Sequence, residues 1–327
     1  MFSHIAITNF KSVRQLEFDP KRVNLFIGEP NTGKSNLIES FAPLAQGTYS
    51  AFKQILRFRT TADLFYDQNS SSELLVKTGD LNWKLEFKNT AFEANVWRTA
   101  GKRPDGDSSG PHVGGFFLSH SDLLSAQGFK SDVLYFRYVS LPRFQNQQAG
   151  ALNPPFGDNL VAVLYANKEL RQRVGAIFRS KGFRLEIRPV DSELLIAKEK
   201  GDELYSFPYE SISETWRRIV FFMAVLETNQ NSVLLLDEPE ANTFPFYTKY
   251  LAERIALDET NQFFITTHNP YLLGSILAKA PADQVAVFVT YMENFETKLK
   301  PITGERLTEV VDLSSDVFFN LEKLLTA

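Results

Sequence analysis

Residues 23–35 read VNLFIGEPNTGKS, and they carry the clearest structural signal in the chain. The last eight of them, Gly28–Ser35, fit the pattern G-x-x-x-x-G-K-[ST], in which the N–H groups of a glycine-rich loop converge on phosphate oxygens. The apolar run Val23–Ile27 predicts a buried strand before the loop. Apolar residues recur at helical spacing after Ser35 and predict a helix there. A strand, a glycine-rich loop and a helix in this order predict a phosphate-binding loop.

The last two residues of this loop have distinct expected roles. Lys34 is expected to reach the β- and γ-phosphates of a nucleotide and to support catalysis, and Ser35 is expected to ligate Mg²⁺. The N-terminus of the following helix adds unpaired N–H donors and a partial positive charge. The strand–loop–helix context favours phosphate binding over a turn that binds nothing. The residues expected to contact the nucleotide here are Gly28, Glu29, Pro30, Asn31, Thr32, Gly33, Lys34, Ser35 and Asn36.

A pair of acidic residues follows a second apolar run. Ser232–Leu236 is apolar without alternation, as central parallel strands are, and it ends in Asp237 and Glu238. Ligands of open α/β sheets bind beyond the carboxyl ends of the strands. Asp237 is therefore expected to hold Mg²⁺, directly or through water, and Glu238 to orient and deprotonate the attacking water. The alternative is a strand that simply exits into solvent, and the upstream loop argues against it.

A histidine follows a third apolar run in the same way. Gln262–Thr266 predicts another central strand, and His268 comes two residues after it. A histidine at this position could sense or stabilise the γ-phosphate. A lone histidine is more often an ordinary surface or core residue, but the end of a central strand is where ligand sites lie. We therefore include His268 among the candidate catalytic residues.

Bulk properties limit the class of protein. The chain has 327 residues, which suits one large α/β domain or a domain with an inserted lobe. The formal net charge is −4, so any contact with DNA must rest on a local basic patch. There is no cysteine, which excludes disulfides and thiolate metal sites. Without a signal-peptide pattern or an apolar run near the roughly 20 residues of a membrane span, the sequence favours a soluble cytoplasmic protein that does not contact membranes.

Periodicity predicts further elements around the central sheet. Residues 73–98 alternate apolar and polar, which is typical of an antiparallel, half-exposed sheet. Residues 99–115 contain five glycines and predict a mobile loop. Three further regions are predicted to be a helix, a β-hairpin region and a helix with an apolar face, at 158–181, 183–207 and 212–228.

Three motifs in this order, with about 200 residues between the first two, resemble the head of an ABC-type ATPase, and more narrowly the SMC/RecF/OLD group. Residues 5–12, IAITNFKS, are similar to that group's opening strand and its NF-[KR]-S turn. Residues 24–41 resemble its NxxIGxNxxGKSNLxxA stretch. Residues 237–242, DEPEAN, resemble the start of its DEPExxLHP segment, and residues 266–270, TTHNP, resemble its TTHSP.

The resemblance implies a dimer in which two heads sandwich two ATP molecules. Each ATP would contact the phosphate-binding loop of one subunit and a signature LSxG motif of the other. Ser213 matches the serine of that motif, so it is expected to contact the ATP of a second subunit. Thr215 stands where glycine is usual, and Thr243–Pro245 replaces the group's LHP, so its histidine is absent. These departures indicate hydrolysis that is slow or depends on a partner.

The resemblance also implies a domain plan. A single ABC-type ATPase domain is expected over residues 1–327, with a mixed central α/β sheet. An antiparallel β-rich lobe is expected at 51–132, and a helical lobe carrying the signature at 150–230. Residues 231–327 would hold the acidic pair, the histidine and the closing strands. The 59 residues after His268 are short for the TOPRIM nuclease of OLD proteins, so the chain resembles a stand-alone head, as found beside effector genes in antiviral systems.

Three assignments stay open. The group's glutamine loop should fall within Leu141–Gln148, where Gln145, Gln147 and Gln148 are equal candidates. The basic stretch Lys168–Arg188 could touch a phosphate backbone, although a solvated helix face is the commoner explanation. The aromatic residues beside Arg137 could stack on bases, but such side chains are more often core. They are Tyr135, Phe136 and Tyr138.

Three functions follow as hypotheses. The first is a switch that binds and hydrolyses Mg-ATP, forms a homodimer or higher oligomer through ATP, and acts with DNA or an effector protein in DNA repair or antiviral defence. The second is a nucleotide-binding scaffold or sensor with little hydrolysis, which Thr215 favours. The third is a DNA-processing enzyme with its own nuclease centre. The complete set of candidate catalytic residues favours the first.

Overall fold

The computed structural model describes residues 1–45, 52–88, 90–99, 111–303, 306–307, 310 and 314–326. The strands are β1 (Ile5–Phe10), β2 (Val13–Phe18), β3 (Val23–Gly28), β4 (Leu74–Lys77), β5 (Leu81–Lys88), β6 (Ala91–Arg98), β7 (His112–Leu118), β8 (Leu123–Gln127), β9 (Val133–Phe136), β10 (Arg184–Arg188), β11 (Glu193–Lys200), β12 (Glu203–Pro208), β13 (Val233–Asp237), β14 (Gln262–Thr266), β15 (Val285–Glu293) and β16 (Glu296–Ile302). The helices are α1 (Lys34–Phe41), α2 (Phe52–Ile55), α3 (Leu160–Ala166), α4 (Lys168–Arg179), α5 (Glu214–Thr228), α6 (Pro245–Leu257), α7 (Pro270–Lys279) and α8 (Leu321–Thr326).

A six-stranded mixed sheet positions the candidate motifs. Its strand order is β16-β15-β3-β14-β13-β9, and all neighbours are parallel except β16, which pairs antiparallel with β15. Gly28 ends β3, and Asp237 pairs with Thr266 at the ends of β13 and β14. The carboxyl ends of parallel strands meet at one edge of a sheet, so the glycine-rich loop, the acidic pair and the histidine loop emerge together.

The central sheet is buried on both faces, which explains why its strands do not alternate in hydrophobicity. Along β13, Leu234 and Leu236 pack into one apolar cluster with α5, α6 and α7, whereas Leu235 packs into a second cluster with α1 and the antiparallel sheet. Each face therefore requires apolar side chains, and the uninterrupted apolar runs of β3, β13 and β14 follow from this burial.

A seven-stranded antiparallel sheet covers the second cluster. Its order is β2-β1-β4-β5-β6-β7-β8. Trp83 is fully buried and donates its Nε1–H to the carbonyl of Ser40 at 2.8 Å, which fixes this sheet against α1. β4, β5 and β6 fall within residues 73–98, where alternation predicted antiparallel strands.

The predicted loop at 99–115 needs a correction at its end. Most of it lies outside the described residues, but β7 begins at His112, and Gly114 and Gly115 are strand residues. These glycines permit close backbone approach, since a Cβ on Gly115 would lie 2.4 Å from the carbonyl oxygen of Ala94. The glycine content predicts a loop, but at Gly114 and Gly115 it reflects a strand in which a side chain would clash with the neighbouring backbone.

The remaining region combines helices with a small sheet. β10, β11 and β12 form a three-stranded antiparallel sheet beside α4. The helix predicted over 158–181 is two helices, because the side chain of Asn167 accepts a hydrogen bond from the N–H of Leu170 at 3.0 Å and starts α4. No helix among the described residues is both long and apolar enough to cross a membrane. The lobe boundaries at 51–132 and 150–230 stay predictions.

Candidate nucleotide site

The glycine-rich loop is shaped by residues with positive φ. Gly28, Asn31 and Gly33 have φ values of 154°, 63° and 92°. A Cβ on Gly33 would lie 2.0 Å from Thr297 Oγ1, so only glycine fits where β16 approaches the loop. Thr297 Oγ1 also donates to the carbonyl of Thr32 at 3.1 Å. The loop is thus held in shape by its own glycines and by a brace from β16.

A second brace comes from β15. Thr32 Oγ1 donates to the carbonyl of Glu29 at 2.8 Å and lies 2.6 Å from Thr290 Oγ1. Beyond the loop, the amide of Asn36 donates to Ser12 Oγ at 2.7 Å, and this hydroxyl lies 2.7 Å from Thr297 Oγ1. The loop and the start of α1 are therefore preorganised by hydroxyl and amide contacts.

Lys34 lies inside the curve of the loop. Its Nζ donates to the carbonyls of Gly28 at 3.0 Å and Glu29 at 2.6 Å. Burial lowers the pKa of Lys34 to about 8, although the neighbouring carboxylates of Glu238 and Asp237 oppose the shift. A buried ammonium group within a glycine-rich loop is well suited to a polyphosphate, whose negative charge would favour the protonated lysine.

Ser35 and Asp237 meet although 202 positions separate them. Ser35 Oγ donates to Asp237 Oδ1 at 3.0 Å, and Thr266 Oγ1 donates to the same oxygen at 2.5 Å. Hydroxyl and carboxylate oxygens are the hard donors that Mg²⁺ prefers. The residues predicted as metal ligands therefore form a donor set that fits this ion.

Glu238 and His268 form the next layer of the site. Their side chains are partly exposed, and His268 Nε2 lies 3.4 Å from Glu238 Oε1. Glu238 has φ 46°, and its N–H donates to Thr266 Oγ1 at 3.0 Å, so the β14 end fixes the turn that presents its carboxylate. Burial and the charge of Lys34 lower the pKa of His268, which favours the neutral imidazole.

One cavity of about 740 Å³ joins these groups. Pro30, Asn31, Gly33, Lys34, Ser35 and Asn36 line one side, and Glu238 and His268 lie on its wall. Gly28, Glu29 and Thr32 are not among the lining residues, but their hydrogen bonds support the loop. Asp237 is not among the lining residues, but its carboxylate accepts a hydrogen bond from Ser35, which lines the cavity. Such a volume is in the range of ligand sites for small molecules.

A second part of the cavity wall was not predicted from the sequence. It comes from the β1–β2 turn and from the segment between α2 and β4: Lys11, Ser12, Arg57, Asp63, Phe65, Asp67 and Gln68. Lys11 and Arg57 both form ion pairs with Glu39 of α1, whose side chain is 1% exposed. Lys11 and Ser12 of the NF-[KR]-S turn were the only residues of this part of the wall that the sequence motifs included.

Ser213 lies away from this cavity. It precedes α5 and lines a separate concavity together with Thr215, Trp216 and Phe244. Thr215 Oγ1 donates to the carbonyl of Asn242 at 2.8 Å, so the threonine is bound within its own chain. Gln145, Gln147 and Gln148 are exposed, and among the described residues that line the cavity none of them appears. The choice of glutamine stays open.

The basic stretch and the aromatic residues beside Arg137 mostly contact other residues of this chain. Arg173 pairs with Glu169 and Glu227, and Arg184 pairs with Glu199. Tyr135 and Phe136 are buried in β9. These contacts favour the solvated helix face and the core over a surface that binds nucleic acid.

Comparison with known proteins gives a partial match. A family model described as "AAA domain, putative AbiEii toxin, Type IV TA system" matches residues 144–274, which is less than half of the chain and includes Asp237, Glu238 and His268. No curated protein matches the chain. Among solved structures, the chain is similar to the SMC head domain from Thermotoga maritima, with 14% identity, a TM-score of 0.41, and coverage of 93% of this chain and 99% of that one.

The narrower likeness to OLD proteins stays a prediction. The predicted fold class is confirmed, since the sheet is mixed, the antiparallel sheet and the helices flank it, and the phosphate loop and acidic pair share one edge. These features give the chain the α/β fold of an ABC-type P-loop ATPase.

Proposed function

We propose that the chain binds Mg-ATP at Gly28–Ser35 and hydrolyses it, and that ATP joins two copies head to head. The contact of Ser35 with Asp237 at 3.0 Å carries this proposal, because it unites the two motifs that a P-loop ATPase needs. Mg²⁺ held by these residues would neutralise charge on the phosphates. Lys34 and the loop N–H groups would bind the β- and γ-phosphates.

Glu238 is the proposed general base. Its carboxylate would accept a proton from the water that attacks the γ-phosphorus, so that a new P–O bond forms while the bond to the β-phosphate oxygen breaks. His268, within 3.4 Å of this carboxylate, would orient the water and the γ-phosphate. ADP and inorganic phosphate would be the products.

Ser213 would contact the ATP that is bound to the phosphate-binding loop of the second copy. Ser213 lines a different concavity from the one that the phosphate loop lines, which is consistent with a contact to the nucleotide of the neighbouring subunit. We further propose that the dimer acts with DNA or an effector protein, in DNA repair or antiviral defence. This part of the proposal rests on the family resemblance alone.

A test of the switch is the mass of Glu238→Gln in solution by light scattering, with and without Mg-ATP. Removal of the base should trap ATP while the phosphate contacts persist. A monomer that becomes a dimer only with Mg-ATP supports the proposal. An ATP-bound protein of unchanged mass would contradict the ATP-driven dimer.

The second candidate is a nucleotide-binding scaffold with little hydrolysis. Thr215 favours it, because a β-branched side chain hydrogen-bonded to Asn242 stands where a glycine would give a phosphate access to the backbone. Thr215→Gly separates the two functions: a large gain in turnover would show that the threonine restrains hydrolysis. A nuclease, the third hypothesis, would require metal-dependent DNA nicking that survives Lys34→Ala.

A further inference from the structure

The β15–β16 hairpin projects beside the phosphate loop. Thr290 of β15 lies opposite Gly28, where the loop begins, and β15 continues for three more residues to Glu293. At about 3.3 Å per residue, the hairpin tip extends about 10 Å beyond the start of the loop. Thr297 returns along β16 and contacts Thr32. The tip is therefore attached to the same edge that carries the nucleotide site.

Phe295 at this tip is an unusual turn residue. Asn294 and Phe295 have φ values of 49° and 64°, and they connect the two strands directly. Two-residue hairpins of this geometry favour Asn-Gly, since glycine adopts positive φ without steric cost. Phe295 is instead a large aromatic residue that is 87% exposed. Neither the turn nor the core of this chain requires its ring.

An aromatic concavity surrounds Ser213. It has a volume of about 550 Å³, and its aromatic wall consists of Trp216, Phe244, Phe246 and Tyr247, which we call the aromatic cradle. Phe244 and Phe246 are 65% and 69% exposed. Trp216 packs edge to face with Phe178 at 5.1 Å, so that part of the wall is fixed by the core. Clustered exposed aromatic residues of this kind mark interaction sites.

Charge distinguishes the two surfaces. Glu293 flanks Phe295 at the hairpin tip, and Lys181 lies on the wall of the concavity. Both side chains are exposed, and neither forms an ion pair with the described residues. An acidic tip with an aromatic residue thus matches a basic, aromatic concavity.

We infer that Phe295 of one copy docks into the aromatic cradle of a second copy, with Glu293 placed toward Lys181. The inference rests on the proposed function, in which the phosphate loop of one copy faces Ser213 of the other. The hairpin tip flanks that loop, and the cradle surrounds Ser213, so this arrangement brings them together. Two-fold symmetry would form the contact twice. The strain at Phe295 is then explained by its role at the interface.

The absence of natural cysteine permits a direct test by cross-linking. Phe295→Cys and Phe246→Cys are each combined with Glu238→Gln, and a short bis-maleimide is added to the two proteins in Mg-ATP. The proteins are mixed at a concentration far above the dimer Kd of Glu238→Gln, so that the loss of the aromatic rings does not prevent assembly. The matched control replaces Phe246→Cys with Leu257→Cys. Leu257 is 64% exposed on the same helix, about 17 Å farther along at 1.5 Å per residue. We expect covalent dimers of the 295–246 pair with Mg-ATP, and few for 295–257.

Phe295→Gly tests the contribution of the ring to dimer affinity. Glycine suits the turn, so the hairpin should keep its structure. In the Glu238→Gln background, we expect dimer formation with Mg-ATP to weaken on the order of thirtyfold, as for an aromatic interface anchor. Binding of a fluorescent ATP analogue to the monomer should be unchanged.

The outcomes separate this inference from the proposed function. An ATP-dependent dimer by light scattering, without preferential 295–246 cross-linking, overturns the docking and leaves the switch intact. A loss of ATP affinity by the Phe295→Gly monomer equal to the loss of dimer affinity also overturns it, because the ring would then contact the nucleotide. ATP binding without a dimer overturns both.

Discussion

Glu240 is a buried carboxyl group close to the proposed catalytic pair. Its side chain is 4% exposed, Oε1 accepts a hydrogen bond from Thr267 Oγ1, and Oε2 has no hydrogen-bond partner among the described residues. Burial raises the pKa of Glu240 to about 7, and the nearby charge of Glu238 adds to the shift. The group thus links the loop that carries Glu238 to the loop that carries His268, and it is protonated in mildly acidic solution.

This shift predicts a pH dependence of stability. Below the ordinary pKa of 4.5 the carboxyl is protonated in both the folded and the unfolded state. As pH rises from there to about 7, only the unfolded chain loses the proton, so the free energy of unfolding should fall. The loss attributable to Glu240 should be on the order of 3 kcal/mol. Glu240→Gln should remove it.

Urea denaturation of the wild type and of Glu240→Gln between pH 5 and pH 8 measures this difference. Other titrating groups are common to both proteins, so the difference between the two curves isolates Glu240. A difference that does not change with pH would show that the carboxyl is ionised in the folded state throughout.

Local sequence predicted most of the elements near the site. The apolar runs of β13 and β14 require burial on both faces, and this requirement is visible in the residues themselves. The Gly28–Ser35 loop carries its conformation in its glycines. By contrast, no local pattern joins Lys11, Glu39 and Arg57, because their contacts depend on how the β1–β2 turn, α1 and the segment after α2 pack together.

The Glu39 cluster predicts a compensating pair of substitutions. Glu39→Leu leaves the ammonium of Lys11 buried without its carboxylate partner, and should lower the free energy of unfolding by about 3–5 kcal/mol. Burial already lowers the pKa of Lys11, which shows how its charge is disfavoured there. The double variant Glu39→Leu and Lys11→Met should recover most of the loss, since Arg57 is half exposed and can turn to solvent.

Urea denaturation of the wild type, both single variants and the double variant completes this cycle. We expect a coupling free energy between Lys11 and Glu39 well above the roughly 0.5 kcal/mol error of such cycles. Additive losses would mean that Lys11 and Glu39 do not act as one buried pair.

For the whole molecule, the strand order explains how motifs distant in sequence form one cavity. The sequence predicted that Ser35, Asp237 and His268 would meet, because parallel strands place their carboxyl ends together. It could not show that Phe295 projects beside the phosphate loop, since this depends on the parallel pairing of β15 with β3, two strands far apart in the sequence. The site of one copy is accordingly proposed to be completed by a second.

Steady-state phosphate release from Mg-ATP by the wild type and by Glu238→Gln measures whether this site hydrolyses ATP. Glu259→Gln, an exposed acid elsewhere, is the matched control. Loss of a general base should reduce the rate by about 10²–10⁴-fold, whereas the control should match the wild type. Lys34→Ala should also lose the activity through weaker phosphate binding. Equal, slow release by the wild type and Glu238→Gln would contradict hydrolysis by this site.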